Sequence, residues 1–173
     1  MNKKVIGYDA KRIVRNGTGL GSYGRTLIND LAPLMPDTNL RLYAPDAGRD
    51  DLRNQVKLRD NVQFCYPDHL RFRLQRDWWR VKGVVKDLKT DGVELYHGLS
   101  GELPSGLAAA GIPGVVTIHD LIFLRHPEFY PAIDVFFYKR KFFKTLQEAT
   151  RIIAISECTK RDILYYGDFP EDK

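Results

Sequence analysis

His119 and Asp120 stand together where a short apolar run, Val115-Val116-Thr117-Ile118, stops. The run is β-branched and bounded by Gly114, which reads as a buried strand. Ligands of open α/β sheets bind just past the carboxyl ends of such strands. A histidine and a carboxylate at that point are placed where chemistry is done. The same pair also serves structure when it only caps the helix that follows.

Other strand ends carry polar residues too. One segment ends Tyr96-His97-Gly98-Leu99-Ser100 and continues to Glu102-Leu103-Pro104. Another ends at Ser156, which reads as a helix cap. His97, His119 and Asp120 together would make a zinc site, but they lack helix-borne HExxH or paired-cysteine spacing, so no metal is expected. No Asp-x-Asp pair occurs, which argues against a site that holds Mg²⁺ or Mn²⁺ by such a pair. The absence of G-x-S-x-G and of G-x-x-x-x-G-K-[ST] disfavours an elbow-type serine hydrolase and a P-loop nucleotidase.

Between the first strand and its helix lies Gly17-Thr18-Gly19-Leu20-Gly21-Ser22-Tyr23-Gly24. Glycines admit a phosphate close to the backbone, and a helix N-terminus adds N–H donors and positive dipole. Gly19, Gly21 and Gly24 satisfy GxGxxG, and Asp46 falls where a ribose-binding acid would sit. However, a nicotinamide fingerprint turns almost directly off its strand, and here residues 10–18 intervene. A phosphate-cradling loop (Gly17, Thr18, Gly19, Gly21) is the favoured reading, with a glycine-rich packing turn as the bland one.

These residues need a scaffold, and the chain alternates strand-like and helix-like segments throughout. Strands are expected at Val5–Asp9, Leu40–Ala44, Val62–Cys65, Val93–Tyr96, Val115–Ile118 and Arg151–Ile155. Helices are expected after the glycine segment, with Tyr23, Leu27, Leu31 and Leu34 on one face, and over about 70–88, 132–149 and 157–166. Such alternation implies parallel βαβ units. The expected fold is α/β: a Rossmann-like doubly wound parallel sheet, order 3-2-1-4-5-6, flanked by helices. With 173 residues, one domain is expected. Residues 167–173 read as the start of a linker.

Hydrophobic content of 43% and charged content of 28% fit a globular chain. No apolar stretch reaches membrane-span length and no secretory signal is evident, so a cytoplasmic location is expected. Cys65 and Cys158 are expected to be buried and reduced. The net charge of +5 favours anionic partners. Two stretches interleave cations with aromatics: one around Arg71, Arg73, Arg76, Trp78, Trp79 and Arg80, the other over residues 136–144. Docking on an anionic membrane, at its inner face, is one reading. A core-facing aromatic stripe with solvated cations is another. No RNP-like motif or recognition-helix pattern is present, so no nucleic acid partner is expected.

Taken together, the chain resembles the N-terminal half of a family 4 retaining glycosyltransferase of the two-domain GT-B fold. The likeness runs from Val5 to Asp168. Gly19-Leu20-Gly21-Ser22-Tyr23-Gly24-Arg25 resembles the family's Gly-Ile-Gly-Arg-Tyr stretch, with Ser22 in place of its usual Arg. Residues 97–104 and 117–121 are similar to its next two strand ends. Ala154-Ile155-Ser156-Glu157-Cys158-Thr159-Lys160 resembles its Val-Ser-Glu segment.

The resemblance implies sugar transfer from a nucleotide diphosphate sugar to a glycan or lipid-linked acceptor, with the anomeric configuration kept. It implies no catalytic metal and no cofactor. It further implies that His119 and Asp120 line the reaction cleft, and that His97, Ser100, Glu102 and Ser156 border the acceptor. Gly17, Thr18, Gly19 and Gly21 would approach the donor diphosphate. The family's C-terminal donor-binding domain has no counterpart in these 173 residues, so the chain alone is expected to be inactive. The alternative is a stand-alone nucleotide- or membrane-binding module, or one subunit of a split transferase.

Overall fold

A computed structural model describes residues 3–68 and 72–173. Six strands form one sheet: β1 (Lys4–Asp9), β2 (Thr38–Tyr43), β3 (Val62–Cys65), β4 (Leu95–Gly98), β5 (Gly114–Ile118) and β6 (Ala149–Ala154). Every pairing is parallel and the order is β3-β2-β1-β4-β5-β6, as the alternation of segments predicts. The chain is therefore a Rossmann-like α/β domain whose order reverses between β1 and β4.

Helices cover both faces, because a parallel sheet must bury both. On one face, α1 (Lys11–Arg15) and α2 (Gly19–Leu34) bring Ile13, Val14 and Ile28 against Leu40 and Leu42. Each of these side chains is fully buried and stabilises the fold by roughly 1.5–3 kcal/mol. The short α3 (Asp50–Arg53) adds Leu52 nearby. On the other face lie α4 (Arg73–Trp78), a π-helical turn (Trp79–Gly83) and α5 (Val84–Thr90). The same face carries α7 (Ala132–Glu148) and α8 (Glu157–Gly167). Trp79, Leu88, Phe142 and Ile163 join Tyr96 and Val116 in this second core. Between β5 and α7 run α6 (Ile122–Arg125) and a 3₁₀ turn (Pro127–Phe129).

Several expectations need correcting. The segment between β1 and the glycines is largely the helix α1, too short to show a period. The glycines are not a loop: Gly19, Gly21 and Gly24 form the first turns of α2. A Cβ on Gly21 would lie 1.9 Å from the Asn16 carbonyl oxygen, and one on Gly24 2.8 Å from Ile13 Cγ1. Both are glycine because α1 and its exit press against α2.

β4 begins two residues later than Val93. The Val93 N–H donates to the Leu88 carbonyl (2.9 Å) and so still belongs to the helix exit. The shift puts His97 and Gly98 inside the sheet rather than past its end. Residues 167–173 also differ from a free linker. Gly167 closes α8, Phe169 packs on the core, and the Lys173 carbonyl accepts from Ile152 N–H (2.9 Å) along the open edge of β6. The cysteines are free, but Cys65 is only half-buried and Cys158 is exposed.

Candidate functional site

The carboxyl ends of β1, β4 and β5 open into a cleft with a cavity of about 280 Å³. Ser100, Glu102, His119 and Asp120 line it, as do Arg12 and Leu20. Its outer wall is aromatic, built by Phe123, Tyr130 and Tyr138.

His119 leaves β5 half-buried, and its ring is held from two sides. Nε2 lies 2.9 Å from the Leu99 carbonyl oxygen. A carbonyl only accepts, so Nε2 donates, and Nδ1 of the neutral ring remains an acceptor. The Tyr23 ring meets it edge-on at 4.9 Å between centroids. The Tyr23 hydroxyl also bonds Thr117 Oγ1 (3.2 Å), tying α2 to β5. The backbone of His119 is fixed as well, since Thr159 Oγ1 donates to its carbonyl (3.1 Å).

Asp120 is exposed, and its Oδ1 accepts from the Ile122 N–H (3.3 Å). It therefore closes a local turn just before α6 and lines the cleft at the same time. Ser156 stands apart. Its Oγ accepts from Thr159 N–H (3.1 Å), capping α8, and it does not line the cavity.

His97 is not in the cavity either. It is 7% exposed, its ring packs against Tyr8, and its Nε2 pairs with Thr117 Oγ1 at 2.9 Å. Burial pushes its pKa down to about 4, so the ring is neutral at pH 7.

Glu102 reaches the cleft because the loop after β4 folds back on the sheet. Gly101, at φ +77°, makes the turn, and its N–H donates to the Thr117 carbonyl (3.0 Å). A Cβ on Gly98 would lie 2.1 Å from the Glu102 carbonyl oxygen, so only glycine admits this return. The carboxylate bonds Arg80 and also Lys141 Nζ (3.0 Å), and Arg80 lies 3.5 Å from Asp9. Burial pushes the Glu102 pKa up, but Arg80 and Lys141 outweigh it and hold the carboxyl at about 2. Glu102 is thus a fixed anion that joins the π-helical turn to α7. Arg80 is correspondingly raised: its burial favours loss of the proton, and Asp9 and Glu102 overcome it.

At the start of α2, Asn16 Oδ1 accepts from the N–H groups of Thr18 (2.9 Å) and Gly21 (3.3 Å). Gly21 therefore has a partner already, and the first-turn N–H groups left without one among the described residues are those of Gly19 and Leu20. A Cβ on Gly19 would meet nothing within 4 Å, whereas Gly17 is near Arg49 and Leu52. Buried Arg25 ties the turn down by donating to the carbonyls of Ile13 and Asn16, each at 2.9 Å. Asp46, the ribose-acid position of a nicotinamide site, is taken by ion pairs with Arg15 and Arg76.

The basic aromatic segment divides. Trp79 is 6% exposed and donates from Nε1 to Asp87 Oδ2 (2.6 Å), so it is a core residue. Arg80 is committed to Asp9 and Glu102. Neither is available to a surface partner, contrary to expectation. Arg73 and Trp78 do face outward, Arg76 pairs with Asp46, and Arg71 lies outside the described residues.

Residue reading alone missed Tyr23, Arg12, Lys141 and the aromatic wall. Tyr23 counted only as one apolar position of an amphipathic helix, and Lys141 only as one cation in a run. Among the described residues no group of three or more His, Cys, Asp or Glu side chains could hold a metal ion. No helix there is long and apolar enough to cross a membrane.

A doubly wound sheet with a polar cleft at its order reversal defines a Rossmann-type ligand-binding domain. The chain belongs to glycosyltransferase family 4, whose model, Glycosyltransferase Family 4, matches residues 19–173. Among characterised proteins, the O-antigen chain mannosyltransferase B of Escherichia coli is 28% identical over 167 residues. That alignment covers 90% of this chain and 42% of the relative, so the chain spans less than half the length of the protein it matches.

Proposed function

We propose that this chain is the acceptor-side domain of a retaining, metal-independent glycosyltransferase that extends a polysaccharide from a nucleotide diphosphate sugar. The observation that carries the proposal is the cleft itself. Its polar floor of Ser100, Glu102, His119 and Asp120 faces an aromatic wall. Rings such as Tyr130 and Tyr138 offer flat apolar faces to a pyranose, while the floor offers donors and acceptors to its hydroxyls. His119, with Nε2 tied to Leu99, presents Nδ1 as an acceptor that orients an acceptor or donor hydroxyl. The N–H groups of Gly19 and Leu20 point the positive end of α2 toward a diphosphate. The relative's name makes mannose the first sugar to test.

The cleft has one wall in this chain, and a second domain would supply the nucleotide site and the other wall. Transfer of labelled mannose from GDP-mannose to a mannan oligosaccharide is therefore expected only when these residues are joined to a family 4 donor-binding domain. The 173-residue chain alone is expected to be inert. Measurable transfer by the chain alone would sink this reading.

A further inference from the structure

A hydrogen-bonded row of polar side chains runs through the sheet to the side of His119, and no step of the proposed transfer uses it. His97 on β4 and Thr117 on β5 stand on neighbouring strands, since His97 is in register with Val115, two residues before Thr117. Thr117 is 0% exposed and His97 7%. Thr117 Oγ1 lies 2.9 Å from His97 Nε2 and 3.2 Å from the Tyr23 hydroxyl. One buried hydroxyl thus joins a strand histidine to a tyrosine of α2. Burial keeps His97 neutral, so its Nε2 either accepts or donates. Thr117 answers both cases by turning its own O–H toward the other neighbour, and the row holds in either direction.

Packing alone does not call for these groups. The core around Tyr8 and Tyr23 is otherwise apolar, with Ile13, Ile28, Leu40 and Leu99 in the same cluster. The His97 ring packs on Tyr8 within it. A valine at 117 would fill nearly the same volume with no polar atom to satisfy. Buried polar groups destabilise when unpaired, and when fully paired they hold the side chains that they join in one arrangement.

The side chain held here is Tyr23. Thr117 fixes it at the hydroxyl, and the backbone of α2 fixes it at the other end. Its ring stands at 86° to the His119 ring, with centroids 4.9 Å apart. His119 Nε2 is bonded to the Leu99 carbonyl (2.9 Å), just two residues beyond His97. The hydrogen bond fixes one point of the imidazole, and the tyrosine beside it fixes the plane. The end of β4 therefore grips His119 twice: through the main chain at Leu99, and through the side chain of His97 by way of Thr117 and Tyr23.

We infer that His97, Thr117 and Tyr23 are positioning residues for His119, setting the plane of its ring through the row His97 Nε2, Thr117 Oγ1 and Tyr23 Oη. None of the three lines the cavity, so they act through His119 and not on the ligand. That His119 orients a sugar hydroxyl rests on the transferase reading; the coupling of its ring to His97 does not.

Two substitutions at Thr117 separate positioning from packing. Thr117→Val keeps the shape and cuts the row, whereas Thr117→Ser keeps the hydroxyl and takes a methyl from the core. The first readout is NMR of the 173-residue chain carrying isotope-labelled histidine, in which relaxation of the ring carbon Cε1 reports how rigidly His119 is held. The wild type and Thr117→Ser are expected to show an ordered ring. Thr117→Val is expected to show a mobile one, and so is Tyr23→Phe, which keeps the aromatic ring but loses the tether. Amide spectra confirm that each variant folds; if Thr117→Val does not, Tyr23→Phe decides alone. The second readout is transfer by an enzyme that joins this chain to a family 4 donor-binding domain. There Thr117→Val should lower kcat about tenfold with KM changed by no more than about twofold, and Thr117→Ser should keep most of the activity. An ordered His119 ring in Tyr23→Phe overturns the inference, whatever the activity. So does a ring looser in Thr117→Ser than in Thr117→Val, since packing would then be the role of Thr117. A loosened ring with kcat unchanged supports the coupling and counts instead against the part of His119 in transfer.

Discussion

His119→Ala, in an enzyme that joins this chain to a family 4 donor-binding domain, is expected to lower turnover by on the order of 10²–10³-fold, the range seen when one prepositioned polar group is removed. The magnitude follows from how firmly the ring is set. Leu99 fixes Nε2, Tyr23 packs on its edge, and Thr159 holds its backbone. Such a group is oriented before substrate arrives, so its removal costs in the transition state and not only in binding. Stability should change little, because the ring is half-buried and its loss leaves one carbonyl to bond water in an open cleft. The check is kcat and KM measured beside thermal unfolding. A His119→Asn variant keeps a hydrogen-bonding group and should recover part of the activity. Turnover unchanged in His119→Ala would remove His119 from the site.

Acid should unfold the domain in two stages, traceable to two residues. His97 has its folded pKa lowered to about 4 from 6.5 by burial, so the folded state binds its proton less readily than the unfolded chain. Its contribution is fully present above 6.5 and is lost as pH falls toward 4, amounting to about 3 kcal/mol. Glu102 has its folded pKa at about 2 against 4.5. Its contribution is present above 4.5 and is lost as pH falls toward 2, again about 3 kcal/mol. Urea unfolding at a series of pH values should therefore show stability falling first between 6.5 and 4, then between 4.5 and 2. His97→Gln should flatten the upper limb alone. Glu102→Gln should flatten the lower limb and lower stability at pH 7, because Arg80 would keep only Asp9 as a counter-charge. A profile level from pH 7 to 4 in the wild-type chain would contradict the buried, neutral His97.

The sheet was legible in the sequence because buried parallel strands are short, β-branched and separated by helix-length segments. Strand order, the capping by Ser156 and the place of His119 and Asp120 followed from that pattern. Local periodicity failed where long-range contact decides. Val93 has strand character, yet its N–H is bound to the end of α5, so β4 starts at Leu95. Gly21 and Gly24 look like a phosphate loop, yet their missing side chains make room for α1. Trp78 and Trp79 look alike in sequence. Neighbouring side chains on a helix point about 100° apart, and here the sheet lies on the side of Trp79, so one ring is buried and its neighbour exposed. In the same way, a run of aromatics with cations does not reveal which face of α7 meets the sheet. Only the fold shows that Phe142 turns inward while Phe136 and Phe137 turn outward.

The most direct test of the acceptor-side assignment is amide NMR of the 173-residue chain titrated separately with a mannan oligosaccharide and with GDP-mannose. The oligosaccharide is expected to shift the amides of residues 100–102 and 119–121 first, while the nucleotide sugar shifts only those at the start of α2, and only at far higher concentration. Tight nucleotide binding, with no oligosaccharide response in the cleft, would contradict the assignment and make this chain a nucleotide-binding module.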